Sequence, residues 1–186
     1  FYTIQGEGYH KGMASYFIRT GGCDIGCHWC DVKESWDENS HPIISVEEIV
    51  KKSAGFSECV VVTGGEPLMW NMNPLTKALK KLGKKTHIET SGAYPLTGIW
   101  DWVCLSPKKA KLPIEDVYNH AHELKIIIYN NHDFKFAEQE SKKVNKNAIL
   151  YLQPEWGKRE EMMPLMVDFI KNNPKFHICL IDDESF

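Results

Sequence analysis

The sequence lacks the features of a membrane-spanning or secreted protein. Its 186 residues contain no apolar run of membrane-spanning length, and no charged and then apolar leader follows Phe1. Basic residues are not in excess, because 22 lysines and arginines face 25 aspartates and glutamates, for a net charge of −3. The sequence therefore predicts a cytoplasmic protein, and it disfavours a membrane or a nucleic acid as a partner.

Internal repeats and low-complexity linkers are also missing, so we expect one domain over residues 1–186, truncated at one or both ends. Strand-like apolar runs alternate with helix-like segments, which is typical of a parallel sheet covered by helices. A complete eightfold β/α barrel usually needs about 250 residues. The pattern therefore predicts an α/β fold, a partial and open parallel β/α barrel of about six strands. The strand-like runs are 15–20, 59–65, 85–90, 102–106, 123–129, 148–154 and 176–181.

Distinctive polar segments follow five of these runs. A cysteine-rich loop follows the first run, and TGGEP, ETSG, SPK and QPEW follow later ones. The functional loops of a parallel α/β sheet lie beyond the C-terminal ends of its strands. We therefore expect these segments to meet on one rim and form a single site.

Three of the six cysteines, Cys23, Cys27 and Cys30, form the pattern C-x3-C-x2-C. Such short spacing lets one loop wrap an inorganic centre, and thiolates suit zinc or an iron–sulfur cluster. A structural zinc site would need a fourth ligand from elsewhere in the chain. A four-iron cluster held by three cysteines would instead keep one iron open for a small molecule.

The cysteine pattern, with Trp29 before its last cysteine and GGEP downstream, resembles the radical S-adenosylmethionine (radical SAM) superfamily. The resemblance implies that the three cysteines hold a [4Fe–4S] cluster whose open iron binds S-adenosyl-L-methionine. It also implies a flavodoxin-like electron donor as a partner.

The ordered set of TIQGEG, the cysteine loop, TGGEP, ETSG, LSPK and LQPEW is similar to the 7-carboxy-7-deazaguanine synthase family. That resemblance implies ring contraction of 6-carboxy-5,6,7,8-tetrahydropterin with release of ammonia, in the biosynthesis of queuosine, a tRNA modification, or of other deazapurines. It also implies a homodimer. The radical comes from the cofactor, so no side chain is implied as an acid or base catalyst.

The family resemblance also assigns residues. The positions that match cofactor-binding segments are Gly64, Gly65, Glu66, Gly92, Ser106, Pro107, Lys108, Gln153, Pro154, Glu155 and Trp156. The positions that match substrate-binding segments are Ile4, Gln5, Gly6, Arg19, Glu89 and Thr90. Glu66 would accept from the ammonium of the cofactor, and Arg19 would pair with the substrate carboxylate. Glu7 lies beside the substrate loop without an assigned role.

Two positions depart from the family pattern. The family implies Mg²⁺ as a third cofactor, held by a threonine two residues after the last cysteine, where this chain has Val32. Valine cannot ligate a metal, so magnesium would be held by substrate oxygens and water or would be dispensable. The chain also runs FHICLIDDESF where the family has a Gln-x-His-Lys stretch. We expect a replaced or truncated tail and a weaker carboxylate site.

The sequence leaves two rival functions open. A glycyl-radical activating enzyme would share the cysteine pattern but would act on a protein and would not need the pterin-binding set. A structural zinc-binding module would be no enzyme at all.

Overall fold

Eight strands form one sheet, and they follow one another across it in chain order. The computed structural model describes residues 1–180, so the part of the predicted replaced tail in residues 181–186 lies outside it. The strands are Tyr2–Ile4 (β1), Ala14–Thr20 (β2), Cys59–Gly64 (β3), Lys85–Thr90 (β4), Trp102–Leu105 (β5), Glu123–Ile128 (β6), Ile149–Pro154 (β7) and Phe176–Ile178 (β8). Strands β2 to β8 are all parallel, whereas β1 pairs with β2 in the antiparallel sense. Within residues 1–180 the sheet does not close between β1 and β8, as an open barrel requires.

The helices occupy the crossovers between parallel strands. They are Val46–Ser53 (α1), Asn73–Lys81 (α2), Glu115–His120 (α3), His132–Glu140 (α4) and Arg159–Asn172 (α5). Ser45 caps α1, because its Oγ accepts from the backbone N–H of Glu48 at 3.2 Å. Pro74 lies in the first turn of α2, where a missing N–H costs nothing. Within residues 1–180, every helix is too short or too polar to cross a lipid bilayer.

Side chains alternate between the two faces of each strand, and the two largest apolar clusters lie on the outer face. Leu124, Ile126 and Ile128 of β6 are buried in the larger core cluster together with Val117 of α3. Val60 and Val62 of β3 belong to a second cluster with Leu75 and Leu79 of α2. The helices therefore cover the outside of the sheet, while the inner face carries polar groups beside a smaller apolar cluster of Phe17, Cys59 and Val61.

The segment between β1 and β2 reaches across the open side of the barrel. The Gly8 N–H lies 3.2 Å from Cys179 Sγ, and Lys11 Nζ donates to the Leu180 carbonyl at 3.0 Å. The backbone N–H of Tyr9 donates to the Glu123 carboxylate of β6 at 2.9 Å. This crossing brings the residues after β1 over the inside of the sheet.

The predicted α/β class and the open parallel barrel are confirmed. The seven predicted strand-like runs correspond to β2–β8, so the structure has seven parallel strands where about six were expected. The short strand β1 and helix α3 were not predicted. Both are short, and their position depends on partners that are distant in the sequence.

Candidate active site

A cavity of about 410 Å³ opens at the C-terminal ends of the parallel strands. All three motif cysteines line it, together with residues from β1, β2, β3, β4, β6 and β7. The predicted meeting of the polar loops on one rim is thus observed for the cysteine loop and for parts of TGGEP, ETSG, SPK and QPEW.

The cysteine loop returns along the segment that follows it. The Gly22 N–H donates to the Ser35 carbonyl at 2.8 Å, and the Cys23 N–H donates to the Trp36 carbonyl at 3.1 Å. Gly22 has a φ of +96°, a left-handed conformation that glycine adopts without strain. The loop is therefore held at its first cysteine, and its cysteine side chains point into the cavity.

The three thiols are free and partly exposed, and the C-x3-C-x2-C loop that carries them suits an iron–sulfur cluster. Within residues 1–180, no group of three His, Cys, Asp or Glu side chains converges on one metal ion. In a [4Fe–4S] cluster each cysteine binds a different iron, so the thiols must stand further apart than ligands of one ion. Burial raises the pKa of the thiols of Cys23 and Cys27, so cluster assembly would displace protons from both.

Gly64 and Gly65 are required by the packing of two loops. A Cβ on Gly64 would lie 2.4 Å from the Thr20 backbone nitrogen, and one on Gly65 would lie 2.2 Å from the Gly22 carbonyl oxygen. The Gly65 N–H donates to Thr20 O, and the Glu66 N–H donates to Gly22 O, both at 2.8 Å. The TGGEP segment therefore lies directly against the base of the cysteine loop.

The acceptor positions of the Glu66 carboxylate are already occupied by hydrogen bonds from the same chain. It accepts from the Leu68 N–H at 2.9 Å, the Ser91 N–H at 2.8 Å, and the hydroxyls of Thr90 and Ser91. A carboxylate offers about four acceptor positions, and the side chain is 1% exposed. Glu66 thus ties TGGEP to ETSG, and its predicted role as an ammonium acceptor stays a prediction.

Lys108 bridges the SPK segment and the cysteine loop. Its Nζ donates to the carbonyl and the hydroxyl of Ser106, at 2.8 and 2.6 Å, and lies 5.4 Å from the centre of the Trp29 ring. Burial lowers the pKa of Lys108, while the nearby Cys27 opposes that shift. Lys108 is thus placed to balance negative charge on the cysteine thiolates.

Gln153 presents an unpaired acceptor at the cavity wall. Its Nε2 donates to Glu7 Oε1 at 3.1 Å, but its buried Oε1 has no hydrogen-bond partner within the described chain. An orphaned buried acceptor is costly unless a ligand or water meets it. This atom fits the bound adenosine portion that the resemblance implies for S-adenosyl-L-methionine.

Five predicted cofactor residues lie away from the cavity wall: Gly92, Pro107, Pro154, Glu155 and Trp156. A Cβ on Gly92 would meet Leu105 at 2.5 Å, so this glycine is explained by packing. Trp156 is 42% exposed and stacks with Arg159 at 4.4 Å. The roles of these five residues in cofactor binding stay predictions.

All six predicted substrate residues, by contrast, line the cavity: Ile4, Gln5, Gly6, Arg19, Glu89 and Thr90. Gln5 Nε2 donates to Glu89 Oε1 at 2.8 Å, and the Thr63 hydroxyl donates to Glu89 Oε2 at 3.3 Å. Two acceptor positions on Glu89 remain for a ligand. The Thr90 hydroxyl is used internally, by Glu66 and by the Gly92 N–H.

Arg19 is the cation on this wall that makes no hydrogen bond or ion pair within the described chain. The carbon of its guanidinium lies 5.7 Å from the centre of the Phe1 ring. A guanidinium binds a carboxylate through two parallel hydrogen bonds. Arg19 can therefore hold a carboxylate that enters the cavity.

An ion pair between Lys125 and Glu7 was missed by the sequence reasoning. Lys125 lies on β6 with only 6% exposure and lines the cavity. The signal was present in ELKIII, where Glu123 and Lys125 alternate with the outward Leu124 and Ile126. Charged residues at period two within an apolar strand indicate an inner face that is polar.

The described residues offer no comparable fit to magnesium. Val32 lines the cavity beside Asp31, but its side chain has no donor atom, and its carbonyl accepts from Ser35. No group of three His, Cys, Asp or Glu side chains gathers there in residues 1–180.

An open parallel β/α barrel with three cysteines on one cavity-facing loop defines a radical SAM protein, and the Radical SAM superfamily model matches residues 17–126. The 7-carboxy-7-deazaguanine synthase of Flavobacterium psychrophilum is 62% identical over 180 residues, 97% of this chain and 86% of the relative. That of a Synechocystis strain is 46% identical over 181 residues, with the same two shares. QueE from Escherichia coli has a crystal structure that matches with a TM-score of 0.85 at 27% identity, over 97% of this chain and 90% of that one. The chain belongs to the 7-carboxy-7-deazaguanine synthase family of the radical SAM superfamily.

Proposed function

We propose that this protein converts 6-carboxy-5,6,7,8-tetrahydropterin to 7-carboxy-7-deazaguanine and ammonia, as a radical SAM carbon–nitrogen lyase. One observation carries the proposal: the three motif cysteines face the same cavity as a free guanidinium, Arg19, and a paired amide and carboxylate, Gln5 and Glu89. When bound, the reduced cluster and S-adenosyl-L-methionine supply the 5′-deoxyadenosyl radical that takes hydrogen from C6 of the pterin.

The residues of the chain divide the work of binding. Arg19 holds the substrate carboxylate, and Glu89 accepts from the pterin amino group while Gln5 fixes its orientation. Lys108 stabilises the charge of the cluster thiolates from the SPK segment. The walls, which include Ile25, Ile127 and Phe17, exclude water from the reacting carbon.

The remaining cofactor and partner assignments belong to the same proposal. The electron donor is flavodoxin-like, the protein works in the cytoplasm and forms a homodimer, and its product feeds queuosine or another deazapurine. Magnesium is not assigned a protein ligand, since Val32 stands where the family has threonine.

The two rival functions make different demands. A glycyl-radical activating enzyme acts on a protein, and it would have no need for Arg19, Gln5 and Glu89 on the cavity wall. A zinc-binding module would need ligands that converge on one ion, which the described residues do not provide.

The test is anaerobic reconstitution with iron and sulfide, followed by dithionite, S-adenosyl-L-methionine and the carboxypterin as the only substrate. We expect about four irons per chain, and formation of the deazaguanine product that depends on S-adenosyl-L-methionine. The Cys27→Ala variant should lose the cluster and the product. Cys59→Ala is the matched control, because that thiol is buried in β3 and does not line the cavity.

Each failure has its own meaning. Stoichiometric zinc without sulfide would identify a zinc module. A loaded cluster that cleaves the cofactor but leaves the pterin unchanged would support an activating enzyme, and it would reject the lyase.

A further inference from the structure

The ion pair of Lys125 and Glu7 lies on the wall of the cavity and has no part in the binding roles assigned above. Lys125 Nζ contacts Glu7 Oε2, and Glu7 Oε1 accepts from Gln153 Nε2 at 3.1 Å. The Lys125 side chain is 7% exposed and that of Glu7 is 24% exposed. Both residues line the cavity.

Stability does not account for this pair. Removing two charges from water costs several kcal/mol per ion, and replacing a buried pair with apolar side chains is often neutral or stabilising. The neighbouring inward position on β6, Ile127, shows that the cavity wall accepts an apolar residue. A charged pair on a wall that also accepts an apolar residue therefore indicates a use in the chemistry.

The other ionisable groups of the cavity wall are already committed. The cysteines serve the cluster, and a guanidinium such as Arg19 does not titrate. Glu66 has its four acceptor positions filled. Lys108 is bonded to Ser106, and Glu89 is bonded to Gln5 and Thr63, neither of which can take up a proton from it. Asp31 is exposed and has no proton donor within the described chain.

The proposed reaction needs an acid and a base after ring contraction. The contracted ring is an isomer of the substrate, and it becomes product when a carbon–nitrogen bond breaks and a neighbouring carbon loses a proton. The electrons of the C–H bond form the new C=C bond. The electrons of the C–N bond leave with nitrogen, which gains one proton to become ammonia. No oxidant or reductant is consumed.

We propose that Lys125 is the acid and Glu7 the base of this nitrogen-release step. Lys125 donates a proton to the departing nitrogen, and Glu7 removes the proton from the ring carbon. The protonated Glu7 then returns the proton to the neutral Lys125 amine through their direct contact, which restores the pair. This inference rests on the proposed function and adds to it a catalytic pair that the sequence did not predict.

Because Lys125 and Glu7 are in contact, the protonation state of one affects the proton affinity of the other. In the resting pair, burial opposes charge on both groups, but their mutual attraction prevails: the pKa of Glu7 lies below its ordinary value, and that of Lys125 lies well above. Once Lys125 gives up its proton, the positive charge that held Glu7 ionised is gone, and Glu7 becomes a stronger base. Each transfer therefore favours the other.

The experiment uses the reconstituted wild-type protein and the variants Lys125→Ala and Glu7→Gln, with substrate carrying deuterium at C6. Two readouts separate the steps: transfer of deuterium into S-adenosylmethionine reports the radical step, and ammonia with deazaguanine reports nitrogen release. Iron content and circular dichroism establish that each variant is folded and loaded, and Glu7→Gln preserves the shape of the side chain. Lys143→Met is the control, because that lysine pairs with Glu140 outside this cavity.

We expect deuterium transfer to persist in both variants, while product formation falls by roughly 10²- to 10⁴-fold, the usual worth of general acid–base catalysis. A species with the mass of the substrate but a different retention time should accumulate. Added methylamine should restore product formation in Lys125→Ala but not in Glu7→Gln.

Other outcomes would reject the catalytic role of the Lys125–Glu7 pair. Product formation at the wild-type rate in both folded variants would reject its catalytic role, as would loss of deuterium transfer in step with loss of product, which would indicate substrate binding alone. Wild-type protein that is loaded but makes no deazaguanine would reject the proposed function itself, and with it the step assigned to the pair.

Discussion

Arg19 and Glu66 lie on the wall of the same cavity and differ in what they have left for a ligand. Glu66 is saturated by Leu68, Thr90 and Ser91, so its charge holds two loops together. Arg19 makes no hydrogen bond or ion pair in the described chain, so its charge is free to bind an anion. The distinction decides which of the two is expected to change substrate affinity when it is replaced.

Replacing Arg19 by glutamine should raise the KM for the carboxypterin by about tenfold or more, because a charge-assisted pair contributes about 1.5–3 kcal/mol. The value of kcat should change little, since the carboxylate is held equally in the ground and transition states. Steady-state kinetics with saturating S-adenosylmethionine measure both constants. Lys146→Gln removes an exposed cation elsewhere and should leave KM unchanged. A wild-type KM in Arg19→Gln would show that the carboxylate is held by other groups.

Strand β6 shows how an element can serve the core and the site at once. Its outward residues Leu124, Ile126 and Ile128 are fully or almost fully buried under the helices. Its inward residues Glu123 and Lys125 contact the segment between β1 and β2, at Tyr9 and Glu7 respectively. A shift of one residue in register would exchange these two faces, so the hydrophobic core also fixes the position of Lys125.

Lys84 also joins two elements, because its side chain binds the backbone just after the C-terminal end of α1. Its buried ammonium donates to the carbonyls of Ala54, Phe56 and Ser57, at 3.2, 3.1 and 2.9 Å. These carbonyls follow the helix, where a cation meets both unpaired acceptors and the negative end of the dipole. Lys84 thus ties the connection between α1 and β3 to the start of β4.

Substituting Lys84 by methionine should lower the free energy of unfolding by about 2–3 kcal/mol, because three buried carbonyls lose their donor. Urea unfolding at neutral pH measures the difference. Lys81→Met, which replaces an exposed lysine three positions earlier, should change stability by less than about 0.5 kcal/mol. Equal stability of the two variants would mean that water satisfies those carbonyls as well as the ammonium does.

The molecule as a whole places its cavity at one end of the barrel and a group of aromatic and imidazole rings further inside. His10 lies 4.5 Å from His87 and 4.5 Å from Trp102, measured between ring centres. Burial, followed by the neighbouring His10, lowers the pKa of His87 to about 4. His87 is therefore neutral in the folded protein at a pH where the unfolded chain would be protonated.

This difference should make the folded state sensitive to acid. Between pH 6.5 and 4 the unfolded state binds more protons at His87 than the folded state does. The contribution of His87 to the free energy of unfolding is therefore complete above pH 6.5 and is lost as the pH falls towards 4. The loss should be about 2 kcal/mol over that range. His87→Leu should flatten the dependence of the unfolding midpoint on pH, whereas His120→Leu, at an exposed histidine, should not. Parallel curves for wild type and His87→Leu would show that other groups govern acid sensitivity.

Much of this protein could be read from sequence because the informative signals are local. Seven parallel strands, the cysteine loop and the six predicted substrate residues all lie where the strand pattern and the motifs indicated. A motif places its residues within one loop, and alternation with helices places those loops on one rim. The period of apolar residues and the short spacing of the cysteines are local patterns, so they can be recognised without knowing which residues meet in the fold.

The sequence by itself determined the fold class, the soft-ligand loop and the identity of the residues at the rim. Only the tertiary structure decided which of those residues are free: Glu66 is saturated, Arg19 is open, and Trp156 lies outside the cavity wall. It also brought Glu7 and Lys125 together across 118 positions of the chain. Pairing at that separation depends on how the segment after β1 crosses the barrel, and no local pattern encodes it.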